Sequence, residues 1–137
     1  DDPGVDSGMM IGQYTAAGLC AENRRLAAPA SVDSLPTSGM QEDHVSMAWG
    51  AVRKLRRVVD NVRRILAVEL AVSGRAVDLR APLVPAAGTG AALAALCSDV
   101  PGPGPDRFLS PELAAAEELL RSGAVLAAVE EAIGPLA

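Results

Sequence analysis

Aromatic residues are nearly missing from this 137-residue chain, where Tyr14, Trp49 and Phe108 stand alone. Three scattered rings cannot form a base-stacking platform, which excludes aromatic-driven binding of single-stranded nucleic acid. Histidine occurs once, as His44, and cysteine twice, as Cys20 and Cys97. That inventory cannot supply the ligand set of a structural zinc site, so no metal is expected. His44 would also be the sole imidazole base for a serine hydrolase, and no nucleophile-elbow glycine pattern accompanies it. No apolar run reaches the roughly 18 to 20 residues that span a bilayer, and no signal-peptide pattern precedes the first helical stretch. Basic residues are the minority: 12 Lys+Arg against 17 Asp+Glu leave a net charge of -5, unfavourable to a phosphate backbone. Gly88-Thr89-Gly90 lacks the lysine and strand context of a phosphate loop. These absences predict a soluble, cytoplasmic protein with neither nucleic acid nor membrane as partner. An initiating methionine is also missing, and the opening Asp1-Asp2-Pro3-Gly4 reads as loop. The chain is therefore expected to be a piece of something longer.

What is present is helical. Met9, Met10, Ile11, Tyr14, Ala16, Ala17, Leu19, Cys20 and Ala21 put apolar groups on nearly every face of one helix, which suits the middle of a bundle. Glu22, Asn23, Arg24 and Arg25 mark its emergence into a polar environment, and Pro29 ends it. Residues 29–44 hold two prolines, four Ser or Thr residues and Gly39 with no sustained period, an ordered loop pinned by Val32, Leu35 and Met40. Val52, Leu55, Val59, Val62 and Leu66 then recur at spacings of three and four, a heptad-like stripe on a long helix that nothing firmly breaks before Pro82. Arg53, Arg56, Arg57, Arg63 and Arg64, interleaved with Asp60, read as a solvated or subunit-contacting face. A helix of this length, roughly 50 Å at 1.5 Å per residue, is too long for a domain of this size to cover.

Past residue 80 the composition shifts. Residues 1–80 carry ten acidic and ten basic side chains, residues 81–137 seven and two. Short helices are expected around Ala91 to Leu96, from Ser110 (as N-cap, with Pro111 next) to Ser122-Gly123, and from Ala124 to Ile133. Pro101-Gly102-Pro103-Gly104-Pro105 is a stiff connector. The fold class is all-α, a long-helix bundle followed by short C-terminal helices. Two regions follow: 1–80 as a central bundle segment containing the 29–44 loop, and 81–137 as a short-helix region. Cys20 and Cys97 read as small buried hydrophobes in a reducing compartment.

Gln41-Glu42-Asp43-His44 concentrates an amide, two acids and an imidazole just before the long helix. By residue type alone, Asp43 is a good helix-start residue, His44 a polar first-turn residue, and Glu42 a favourable charge near a helix N-terminus.

The run Gln41-Glu42-Asp43-His44-Val45-Ser46-Met47 resembles a signature of the histidine ammonia-lyase family, within the aromatic amino acid ammonia-lyases. Met9 to Ala17, Ser31 to Ser38, and Asp106-Arg107-Phe108 match the C-terminal part of the same family, so the resemblance covers essentially the whole chain. It implies elimination of ammonia from L-histidine to give trans-urocanate, in histidine degradation, by a homotetramer whose long helices share a central bundle. It also implies a methylidene-imidazolone (MIO) electrophile made from an Ala-Ser-Gly triplet. Ser-Gly occurs at residues 7, 38, 73 and 122, never after alanine, so the electrophile is expected from residues upstream of Asp1. The resemblance makes Glu42 the catalytic and substrate-binding carboxylate, Gln41 a further substrate contact and His44 a loop-ordering residue. Relatives acting on phenylalanine and tyrosine carry an amide at the position of Glu42. Gly12 and Gly39 depart from the larger or variable residues expected there. The reading that competes with a catalytic segment is a non-catalytic helical oligomerisation module.

Overall fold

In a computed structural model, which describes residues 5–136, five α-helices and one 3-10 turn succeed one another. They are α1 (Met10–Leu26), the 3-10 turn (Ala30–Asp33), α2 (Ala48–Asp78), α3 (Ala87–Cys97), α4 (Ser110–Ser122) and α5 (Ala124–Ile133). The fold is all-α, and the sole β-type pairing among the described residues is an isolated bridge between Thr37 and Glu42. No described helix is long and apolar enough to cross a membrane.

Packing separates the chain into two units, Asp1–Ala16 with Arg63–Ala137, and Ala17–Val62. The boundary therefore falls within α1 and α2 rather than at the compositional step near residue 80. The reason lies in the core: Ala67 of α2 is buried with Leu96, Val100 and Ala116, and Leu70, Leu93, Leu119 and Leu120 close around them. The C-terminal helices thus share their core with α2. Their hydrophobic surface is completed by the second half of α2.

Small residues let these helices approach closely. A Cβ on Gly74 would lie 2.5 Å from Leu96 Cδ2 and 3.4 Å from Leu93 Cδ1. Leu96 is itself buried and cannot swing away without opening the core. Gly74 therefore marks a close approach inside a continuous α2. Gly74→Ala is expected to destabilise this chain by about 1 to 2 kcal/mol, because overpacking outweighs the roughly 1 kcal/mol gain in helix propensity. The urea midpoint checks this, and a more stable variant would show that Leu96 repacks freely.

The same unit holds a paired carboxylate between two arginines. Arg107 Nε donates to Glu112 Oε1 at 2.5 Å and Arg75 Nη2 to Glu112 Oε2 at 2.8 Å. Arg107 Nη2 also donates to the Gly102 carbonyl at 2.8 Å, tying the Pro/Gly connector to α4. The two guanidiniums hold the Glu112 carboxyl below the usual carboxylate range, with the Arg107 hydrogen bond the largest cause. Asp106, the neighbour of Arg107, accepts hydrogen bonds from the Ser7 and Gly8 amides at 2.6 and 2.8 Å, just ahead of α1. The Asp106-Arg107 pair is thus a structural clasp, and Phe108 beside it is exposed.

Two local expectations are corrected. Ser110 is the first residue of α4 rather than its cap; Leu109 occupies the cap position and no side chain caps the helix. Pro111 fits either register, since it needs no amide partner in the first turn. Cys20 and Cys97 are both exposed, not buried.

Candidate active-site loop

Within Ala17–Val62, residues 34–47 lead from the 3-10 turn to α2. Ser34 closes the turn in an extended conformation (φ -64°, ψ 139°), and Pro36 favours extension of Leu35 before it. The Ser34 hydroxyl donates to the Val45 carbonyl at 2.7 Å, closing the loop at its base. Further up, Thr37 and Glu42 exchange both backbone hydrogen bonds, at 3.0 and 3.2 Å. The Gln41 amide donates to the Ser38 carbonyl at 3.3 Å across the tip.

That tip is conformationally demanding. Ser38, Gly39 and Met40 all have positive φ, at 52°, 63° and 68°. Glycine adopts this region freely, which accounts for Gly39; Ser38 and Met40 each carry a penalty of roughly 1 kcal/mol. The closures at Thr37–Glu42 and Ser34–Val45 hold them there.

The four signature side chains fan outward. Gln41, Glu42, Asp43 and His44 are all exposed. His44 Nε2 stands 3.9 Å from Asp43 Oδ1, with the two side chains 72% and 93% exposed. Such a pair is too solvated to order a loop. Order in this loop comes from Ser34 and the Thr37–Glu42 pair, which sequence reasoning did not single out; Ser38-Gly39 was the one visible signal, as a turn dipeptide. Asp43 does not start the helix. α2 begins at Ala48, whose amide donates to Ser46 Oγ at 3.3 Å. Glu42 therefore lies six positions before the first helical residue, outside the turn over which a helix dipole acts.

A largely apolar hollow of about 440 Å³ sits at the foot of the loop, lined by Pro29, Ala30, Ser34, Val45, Met47 and Ala51 among others, and not by Glu42. Its frame is braced by a polar cluster between α1 and α2. Buried Asn61 donates to Glu22 Oε2 at 3.0 Å and to Asn23 Oδ1 at 2.9 Å, and Arg57 donates to Glu22 Oε1 at 2.7 Å. The hydrogen bonds to Glu22, from Asn61 first and then from Arg57, lower its pKa. Lys54 Nζ donates to the Ala28 carbonyl, fixing the end of α1 against α2. Among the described residues no three His, Cys, Asp or Glu side chains are grouped as metal ligands.

In sequence and in fold the chain is similar to known proteins. The chain is 59% identical over its whole length to a histidine ammonia-lyase from Streptomyces griseus, of which it spans 27%. A crystal structure of histidine ammonia-lyase from Trypanosoma cruzi superposes on 97% of the chain with a TM-score of 0.91 at 39% identity, using 26% of that protein. A tyrosine aminomutase from Streptomyces globisporus matches 99% of the chain with a TM-score of 0.92 at 34% identity, again over 26% of its length. The chain thus spans about a quarter of the relatives it matches. The model of the aromatic amino acid lyase family matches residues 1–98, from before α1 through α3 and including the loop that carries Glu42. This chain belongs to the aromatic amino acid lyase family.

Proposed function

We propose that the chain is part of a histidine ammonia-lyase, which converts L-histidine to trans-urocanate and ammonia, and that Glu42 is its contribution to the active site. The observation that carries the reading is the 59% identity to a histidine-acting relative across the entire chain, against 34% for a tyrosine-acting one. The chemistry of Glu42 supports it. An imidazole entering a closed pocket must give up water at its ring N–H, and a carboxylate acceptor offsets that loss. The same contact biases the ring's protonation state and so the ease of losing the β-proton beside it. Glu42 stands on a twice-closed loop with its side chain free to receive such a ring. Gln41, next along the loop, is a second candidate contact, and His44 a residue of the loop's outer surface.

The family's electrophile, methylidene-imidazolone, does not fit onto residues of this chain. Thr37, not alanine, precedes Ser38-Gly39, and the amides of Ser7-Gly8 are engaged by Asp106. The group is therefore assigned to another part of the polypeptide, and the role argued for this chain ends at the substrate ring. A homotetrameric, cytoplasmic enzyme is the accompanying proposal. Its support is the stripe of Val52, Leu55, Val59 and Val62, each at least 43% exposed along one helix face, as a shared helix bundle requires.

The complete lyase polypeptide is expected to release urocanate from L-histidine, and the 137-residue chain alone to release none. Ultraviolet absorbance of urocanate measures both. Turnover by the isolated chain, or none by the complete polypeptide, would overturn the proposal.

A further inference from the structure

We infer that Ser34 is a positioning residue for Glu42, acting through the base of the loop; the inference rests on the reading of Glu42 given above. The Ser34 hydroxyl donates to the Val45 carbonyl at 2.7 Å across eleven residues of chain. Ser34 is half-buried and lines the apolar hollow at the foot of the loop. The bond is the outer of two closures. The inner is the backbone exchange between Thr37 and Glu42, and the tip beyond it holds three residues at positive φ. Ser38 and Met40 resist that conformation, so the tip tends to unwind, and the rotation would pass directly into the adjoining Glu42. Among the described residues no side chain clamps Glu42 itself, whose carboxylate is exposed. Its direction is therefore set by the backbone, and the backbone is held at its foot by Ser34. A hydroxyl is the smallest group that can do this: it supplies one donor to a carbonyl that α2, starting at Ala48, leaves outside its ladder. Ser34 touches no reacting atom in this scheme. It holds Glu42 within the narrow range of positions from which a carboxylate meets a ring N–H.

The test is a double-mutant cycle in the complete lyase with L-histidine as substrate, comparing wild type, Ser34→Ala, Glu42→Ala and the double variant, with Ser34→Thr as rescue. KM is the main readout, because it does not depend on how much of the enzyme is folded. Ser34→Ala is expected to raise KM and lower kcat/KM by about three- to tenfold, the range for one lost neutral hydrogen bond. Ser34→Thr, which keeps the hydroxyl, is expected to restore most of that loss. In the Glu42→Ala background, Ser34→Ala should have no further effect, since there is no carboxylate left to position. A full, additive loss on top of Glu42→Ala would overturn the inference and make Ser34 a general packing residue. So would an inert Ser34→Ala in an enzyme where Glu42→Ala is impaired, which leaves the Glu42 reading intact. An inert Glu42→Ala would instead remove the Glu42 reading and this inference with it.

Discussion

Glu42→Ala in the complete lyase is expected to lower kcat/KM for L-histidine by one to two powers of ten while leaving the melting temperature unchanged. The size follows from removing a charge-assisted hydrogen bond to the substrate ring, worth roughly 1.5 to 3 kcal/mol. The unchanged stability follows from the structure. Glu42 is exposed, its fold-holding bonds are made by its backbone to Thr37, and alanine makes the same backbone bonds. The competing view of Glu42 as a helix-stabilising charge predicts lost stability with turnover intact, and the start of α2 at Ala48 removes its basis. A loss much larger than a hundredfold and confined to kcat would indicate direct proton transfer by the carboxylate instead. Initial rates and a thermal melt on one pair of samples separate these outcomes.

The second large effect concerns stability. Glu112→Ala is expected to destabilise the chain by about 3 kcal/mol, because it leaves two guanidiniums facing each other without their shared counter-ion. The Glu112 and Arg75 side chains are only 11% and 13% exposed, so water cannot replace the carboxylate. Arg75 Nε is already a buried donor without a partner, which makes Arg75 more dependent on Glu112. The pH dependence has a definite sign. The folded carboxyl titrates below its ordinary value, so its stabilisation is fully present above the ordinary glutamate pKa and fades as pH falls through the lower, folded value. Urea midpoints of wild type and Glu112→Ala should accordingly differ most near neutrality and converge in acid. Glu118→Ala, which removes an exposed pair with Arg121, serves as the control and should leave the midpoint unmoved. Equal effects of the two substitutions would mean that burial at Glu112 contributes nothing.

Periodicity made most of the helices legible. The stripe from Val52 onward announced α2, and its end before Pro82 agrees with the observed Asp78. Ser122-Gly123 announced the end of α4, where Gly123 takes a φ of 78° and also opens α5. Periodicity did not reveal which halves of the helices pack together, because Ala67, Val68 and Ala71 bury no more conspicuously in sequence than their neighbours. The apolar surround of the first helix suggested the middle of a bundle, yet Met10, Ile11 and Tyr14 are more than half exposed and Gly12 alone of α1 is buried. Pattern records what a surface can pack against, not whether the partner is within reach. The loop was legible only in its chemistry. Residue type and family resemblance drew attention to Glu42, but a hydroxyl-to-carbonyl bond such as Ser34–Val45 leaves no periodic trace. His44 attracted notice as the only histidine and lies exposed, with its contact to Asp43 too long and too wet to organise anything.

The most direct test of the central claim, that Glu42 faces the imidazole of histidine, is the ratio of kcat/KM for L-histidine to that for L-tyrosine, in the complete lyase and its Glu42→Gln variant. The ratio is insensitive to the amount of active enzyme. It weighs an acceptor-only carboxylate against an amide that can also donate, at the loop position proposed to meet the substrate imidazole. The account predicts a strong preference for histidine in the wild type and a ratio at least about tenfold lower in Glu42→Gln, with the melting temperature unmoved. A wild type that prefers tyrosine, or a ratio the substitution leaves unchanged, would contradict it.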